Sequence, residues 1–315
     1  MLVQDQPVRR EFPASPPAPS RAGTVLLTGS SGLLGSALCP VLAGEGHRLI
    51  RHGRIRPGAD HLAFPLEQLA LIEPAIRLCQ PDWIIHAAAN TSLDRCEEDP
   101  AAAHRLHVEA SAELARAACL HGSRLIYIST DSVYDGGKAG AHGEDDIPCP
   151  ANHYARTKGE GEQACLDALP STIVARVNFF GLHASRSHGL AAWIIENLRD
   201  GRSLDGFTDV HFSPLLNLHL AELFAQAMAR DLPGGIYNFG ASDSCSKYEF
   251  ARRIAALTGA DPQLVRPATL ASAVLRTPRP GNTVMSTSKL AAALGRWMPT
   301  INEGLHAMFN VPPAT

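Results

Sequence analysis

No stretch of this 315-residue chain comes near the roughly 18 consecutive apolar residues that a bilayer span requires, so nothing in it argues for a membrane partner. A basic surplus is missing too. Lys and Arg number 28 against 31 Asp and Glu, and a net charge of -3 gives no overall positive field for a nucleic acid. The seven cysteines are odd in number and scattered, with none at the paired spacing of a metal site or a disulfide framework; reduced thiols in a cytoplasmic protein are expected. The 14 histidines show no ligand spacing, and no metal is predicted. Residues 1–22 contain Arg9, Arg10, Arg21 and several prolines but lack the continuous apolar core of a signal peptide, and they read as a disordered leader.

What the chain does have is a 45% hydrophobic, 19% charged composition, enough for a large core in one large or two modest domains. Its organising stretch is Val25 to Gly35, a short apolar run followed by Gly29, Gly32 and Gly35. A strand ending in such a turn and opening a helix lets main chain approach a pyrophosphate, whose charge then lies at the helix's positive end. From there strand-like and helix-like segments alternate: helix 33–43, strand 47–51, helix 66–80, strand 83–87, helix 100–121 and strand 124–129. Such alternation predicts an α/β Rossmann-type doubly wound parallel sheet.

Two further patterns point to chemistry. About 20 residues past the first glycine, where an NAD site places an acid for the ribose diol, the chain offers Arg51, His52, Arg54 and Arg56 instead. Arginine suits a 2′-phosphate, so NADP(H) is expected with Arg54 as its ligand, and NAD(H) is the alternative. Further on, Tyr154 and Lys158 stand four residues apart and share one helix face. An ammonium beside a phenol favours the phenolate, and Lys158 is therefore expected to draw the Tyr154 pKa toward neutrality. Polar residues Ser129 to Gly136 leave the carboxyl end of a strand, the edge at which open parallel sheets bind ligands. Gly159 and Gly161 should weaken the helix carrying Tyr154 unless close packing compensates.

Taken in order, the glycine turn, His86-Ala87-Ala88-Ala89 with Thr91, Asp94 and Glu97, the Ser129 run, Tyr154 and Lys158, Arg176 to Gly181, and Arg279-Pro280-Gly281-Asn282 followed by Thr287 to Leu290 make the chain resemble the extended short-chain dehydrogenase/reductases. Within that superfamily it is similar to the dTDP-4-dehydrorhamnose reductase family over about residues 24–305. The resemblance implies a catalytic trio of Thr130, Tyr154 and Lys158, with Thr130 bonding the substrate oxygen, Tyr154 transferring the proton and Lys158 gripping the nicotinamide ribose. It also implies that Gly29, Ser31, Gly32, Leu33 and Leu34 hold the cofactor together with Ala87, Ala88 and Ala89. Substrate contacts are implied at Thr91, Asp131, Asn178 and Arg279, and the substrate is a 4-keto nucleotide sugar reduced at its carbonyl.

The implied layout is a leader over 1–22, an NADP-binding domain over 23–181 plus about 211–241, and a smaller discontinuous substrate-binding lobe over about 182–210 and 242–315. A homodimer is the expected assembly, with no nucleic-acid or membrane partner. Helix-like periodicity covers 217–229 and 247–258, and Arg266, Arg276 and Arg279 are either diphosphate ligands or a solvated face. Two departures stand out: Asp209-Val210-His211-Phe212-Ser213-Pro214-Leu215 where relatives commonly read Asp-Gln-aromatic-Gly-Ser-Pro-Thr, and no acid for the adenine amine within Leu62 to Leu66. A dehydratase would need a glutamate base where Ser132 follows Asp131, and family epimerases carry a small residue at the Asp131 position. The remaining alternative is an NADP-binding regulatory subunit without catalysis.

Overall fold

The computed structural model describes residues 22–53, 60–134, 136–183 and 189–310. Its first half runs β1 (Thr24–Thr28), α1 (Leu33–Gly44), β2 (Arg48–Gly53), β3 (His61–Ala63), α2 (Ile72–Cys79), β4 (Trp83–His86), α3 (Leu93–Glu98), α4 (Pro100–His104), α5 (Ala110–His121), β5 (Arg124–Ile128) and α6 (His153–Ala168). Then come β6 (Ile173–Val177), β7 (Phe179–Phe180), α7 (Leu190–Arg199), β8 (Leu204–Phe207), β9 (His211–Phe212), β10 (Leu215–Leu216), α8 (Asn217–Ala229), β11 (Gly235–Phe239), β12 (Cys245–Ser246), α9 (Lys247–Thr258), β13 (Val265–Ala268), α10 (Ser288–Leu294) and α11 (Ile301–Asn310).

Seven strands form one parallel sheet in the order β11-β6-β5-β4-β1-β2-β3. The direction of winding reverses between β1 and β4, whose Val25 to Thr28 pair with Trp83 to His86. That reversal opens a crevice at the carboxyl ends of the strands, the place where such sheets bind ligands. Alternation along β1 covers both faces of the sheet: Val25 and Leu27 join the core beneath α1 and α8, and Leu26 joins the core beneath α2 and α5. Burying both faces is why the strands read as nearly unbroken apolar runs.

Outside the large sheet, three short pairs, β7 with β10, β9 with β12 and β8 with β13, gather around α9. Phe250 on α9 is fully buried and meets Phe180 and Phe212 edge-on at centroid distances of 5.1 and 5.4 Å.

Two helices depart from the pattern expected of them. The segment anticipated as a helix over 66–80 becomes regular α-helix only at Ile72, after a 3₁₀ turn at Leu69–Leu71. Starting there keeps Pro74 in the first turn, where its missing N–H leaves no bond unmade. The long helix expected over 100–121 contains a π-helical turn, Arg105–Glu109, between α4 and α5. The expected leader, residues 1–22, lies outside the described residues apart from Ala22.

Candidate active site

Main chain shapes the cofactor side. Gly29 has φ +68, and a Cβ there would lie 2.8 Å from the Ala87 carbonyl and the Ala88 nitrogen, so the turn after β1 must pass bare against the loop after β4. A Cβ on Gly35 would lie 2.3 Å from the Gly29 carbonyl oxygen, which fixes how closely α1 sits on the turn. Thr28 braces the arrangement by accepting from the Ala88 N–H at 3.1 Å, with its hydroxyl 2.7 Å from His86 Nδ1. Gly32 caps α1 without a side-chain bond, and the first turn holds no acid. The Gly32 N–H donates to the Gly29 carbonyl at 2.9 Å and closes the turn, so the positive end of α1, with no side-chain cap and no acid of its own, is set against that turn as a diphosphate requires. NADP fits this cradle. Arg54, expected at the 2′-phosphate, lies outside the described residues.

The reacting groups come from β5 and α6. Thr130 follows the strand by two residues, accepts from the Ser132 N–H at 3.1 Å, and favours the charged form of Tyr154 against its burial. Asn152 starts α6 by accepting from the Ala155 N–H at 2.9 Å, and this places Tyr154 in the helix's first turn. The same Asn152 donates to the Pro278 carbonyl at 3.0 Å. Cap and strap are thereby joined.

The electrostatics differ from the sequence expectation. Burial pushes Tyr154 up to about 12, and burial draws Lys158 down to about 7. Lys158 Nζ is directed over the ring of Tyr127, 3.9 Å from its centroid, and Lys158 is almost wholly buried. Withdrawal from water outweighs the attraction that the four-residue spacing suggested.

Beneath the trio lies a buried ion pair. Arg176 binds Glu162 through Nε at 3.0 Å and Nη2 at 2.7 Å, and Ser129 donates to the same carboxylate. Burial opposes the guanidinium's charge, but Glu162 raises the Arg176 pKa above its ordinary value. From the other side His107, in the π turn, accepts from the Asn90 N–H at Nε2 (3.0 Å), so its proton is on Nδ1 and points to Thr157 Oγ1 at 2.8 Å. Burial, then the nearby Lys158, lowers its pKa to about 3, so the ring is neutral; its edge meets Tyr154 at 5.8 Å. A Cβ on Gly161 would lie 2.3 Å from the His107 carbonyl oxygen, the close packing expected of this helix. Gly159 is different: the nearest atom to its Cβ would be Val133 Cγ1 at 3.7 Å, an ordinary contact.

On the substrate side, Asp131 is buried with Asn178 Nδ2 2.5 Å from its carboxylate, and Thr283 also favours its charged form. Burial raises its pKa above the usual carboxylate value, with those donors and Lys247 working against the rise. Thr91 is exposed just ahead of α3, whose Asp94 and Glu98 hold Thr277 at 2.6 Å and Arg276 at 2.7 Å. Of the three arginines weighed for a diphosphate, Arg276 is thus committed to Glu98 and Arg266 to Asp205 at 3.6 Å, whereas Arg279 interacts with Lys247. Asn152, His107, Thr283 and Lys247 were not singled out from the sequence. Only Asn152 and Lys247 had local signals, as the cap and first residue of helices. Among the described residues no cluster of side chains could hold a metal, and no helix is long and apolar enough to cross a membrane.

Comparison with known proteins follows the same outline. Residues 23–312 match the family model described as the RmlD substrate binding domain. The chain is 30% identical over 292 residues to a dTDP-4-dehydrorhamnose reductase of Streptomyces griseus, covering 90% of this chain and 93% of that one. It is also 30% identical over 275 residues to methionine adenosyltransferase 2 subunit beta of Pongo abelii, covering 84% and 81%. The solved structure of a dTDP-4-dehydrorhamnose reductase from Bacillus anthracis in complex with NADP shares the fold, with a TM-score of 0.83, 23% identity, and coverage of 91% of this chain and 99% of that one.

Proposed function

The chain belongs to the RmlD substrate binding domain family, and on that premise we propose that it is an NADPH-dependent reductase of a 4-keto nucleotide sugar, similar in activity to the dTDP-4-dehydrorhamnose reductases it matches. The observation that carries the reading is the placing of Thr130, after β5, and of Tyr154 and the buried Lys158, on α6, toward the same carboxyl edge of the sheet as the bare turn that follows β1 at Gly29.

In this reading Gly29, Ser31, Gly32, Leu33 and Leu34 hold the diphosphate of NADPH, Ala87, Ala88 and Ala89 line its path, Arg54 meets the 2′-phosphate, and Lys158 grips the ribose. When bound, NADPH supplies the hydride. Thr130 Oγ1 orients the substrate's carbonyl oxygen, and the Tyr154 hydroxyl, held protonated by burial, gives that oxygen its proton. Asp131, Asn178 and Thr91 face the sugar. The substrate lobe is assigned to about 182–210 and 242–315, with residues 23–181 and about 211–241 forming the nucleotide-binding domain.

A dehydratase is disfavoured because Ser132 stands where elimination needs a glutamate, and an epimerase because Asp131 stands where family epimerases carry a small residue. A regulatory subunit is the second reading, favoured only by the similarity to methionine adenosyltransferase 2 subunit beta; a chain without catalysis would have no use for Tyr154 and Lys158 held as they are. A homodimer in a reducing cytoplasm is the setting proposed, in keeping with seven free thiols.

The test is NADPH oxidation by the purified protein across a panel of 4-keto nucleotide sugars, with NADPH and NADH titrated against wild type and Arg54→Ala. Reduction of one keto sugar, and a preference for NADPH that Arg54→Ala erases, are expected. Tight NADPH binding without reduction of any panel member would put the regulatory reading in its place.

A further inference from the structure

Lys247 occupies a position that the fold defines tightly and that is costly for a cation. β12 pairs antiparallel with β9, matching Cys245 to Phe212 and Ser246 to His211, and the Lys247 N–H donates to the Val210 carbonyl at 2.9 Å. Ser246 and Glu249 close a capping box around it. As the first residue of α9, Lys247 sets its charge at the positive end of a helix, where an anion would be favoured. Its Nζ lies 3.3 Å from the centroid of the Phe212 ring, and burial draws its pKa down to about 8.

The groups that face the ammonium are Asp131 after β5, Cys245 on β12 and Arg279 on the strap. Burial pushes the Cys245 thiol up to about 12, so it carries no charge. One carboxylate, the buried Asp131, is therefore set against two cations, the half-buried Lys247 and the exposed Arg279, and Arg279 works against the charge on Lys247. Asp131 in turn adjoins Thr130, at 3.3 Å, and influences Tyr154. The surplus positive charge thus lies on the flank of the reacting centre. Of the parts of a nucleotide sugar, only the diphosphate carries negative charge that would relieve it; sugar hydroxyls would leave the two cations unbalanced.

We infer that Lys247 is a specificity-determining residue which, with Arg279, contacts the diphosphate of the substrate, an inference that rests on the nucleotide-sugar reading above. Phe212 then acts as the floor that keeps the ammonium raised toward the ligand.

The experiment compares wild type, Lys247→Met and Lys247→Arg. Steady-state rates are measured with NADPH and the keto sugar from pH 6 to 9.5, and dTDP, UDP, GDP and ADP are titrated calorimetrically. Lys247→Met should raise KM and the diphosphate Kd by about 10- to 100-fold with kcat changed by no more than about threefold, the scale of one lost charge-assisted contact made before the transition state. NADPH affinity should be unchanged, which also verifies folding, and Lys247→Arg should recover most of the loss. In wild type KM should rise above about pH 8, where the ammonium loses its proton, and in Lys247→Met that limb should be flat. Unchanged KM and diphosphate affinity in Lys247→Met would overturn the inference, as would a fall in kcat alone or a wild type that binds none of the four nucleotides. Should wild type reduce no keto sugar yet bind a nucleoside diphosphate through Lys247, the reductase reading fails and the diphosphate site stands.

Discussion

Main chain shapes the cofactor side of the cleft, where Gly29 and Gly35 admit no Cβ and one contiguous turn does most of the work, whereas the substrate side is made of side chains from segments far apart in sequence: Asp131, Asn178, Lys247 and Thr283. A surface built from backbone carries little freedom to change its ligand, because nearly any substitution must move the chain itself. One built from side chains can be rewritten residue by residue without disturbing the fold. The difference separates what this protein shares with its relatives from what would set its own substrate.

If the two sides are independent, the largest single loss should touch one and spare the other. Tyr154→Phe removes a hydroxyl and keeps the ring against His107, so turnover should fall by about 10²-fold or more while NADPH affinity stays near wild type. Single-turnover NADPH oxidation beside a fluorescence titration reads both, and full activity in the variant would end the assignment of Tyr154 as proton donor.

The reverse experiment is Gly35→Ala. Its methyl group would meet the Gly29 carbonyl oxygen at 2.3 Å and Ser30 Cα at 2.6 Å, all main chain, so the turn must shift. Overpacking of this kind costs about 1–3 kcal/mol of stability, and NADPH affinity should fall with it. Urea denaturation and cofactor titration check the pair of effects. A variant that binds NADPH as tightly as wild type would show that the turn is not the cofactor's seat.

The smallest effect tests the same contrast within one helix. Gly159→Ala should add about 0.5–1 kcal/mol of stability, because the helix gains a better former and the methyl group meets only Val133 at 3.7 Å. Gly161→Ala should instead destabilise, since its methyl group would run into the His107 carbonyl and the Tyr127 hydroxyl. Thermal melts of the two variants should move in opposite directions.

These contrasts also explain how far the sequence could be read. Period-two and period-3.6 patterns are local, so the sheet's alternation was legible, and α8 and α9 occupy the spans expected of them, 217–229 and 247–258. The start of α2 was missed because Pro74 decides where a helix can begin, while the apolar pattern before it continues regardless. The π turn left no mark in composition; it is set by His107 reaching Asn90 and Thr157 on neighbouring elements. Tyr154 and Lys158 were found by spacing, yet their ionisation was misjudged because spacing says nothing of desolvation. Lys247 escaped for a related reason. Asp131, Phe212 and Arg279 each lie more than 30 positions from it along the chain, and its neighbours in sequence announce only the start of a helix.

The bond from Asn152 to the Pro278 carbonyl has a consequence for how such a chain can drift. The segment that presents Arg279 also supplies Thr283 to Asp131 and clasps the cap of the helix that aims Tyr154. Changes there are inherited as a package: a mutation that reshapes substrate preference also tugs on the alignment of the proton donor. Lineages descending from this chain would therefore explore new sugars more readily through Lys247, which hangs from another helix, than through the strap, where novelty and turnover are yoked together.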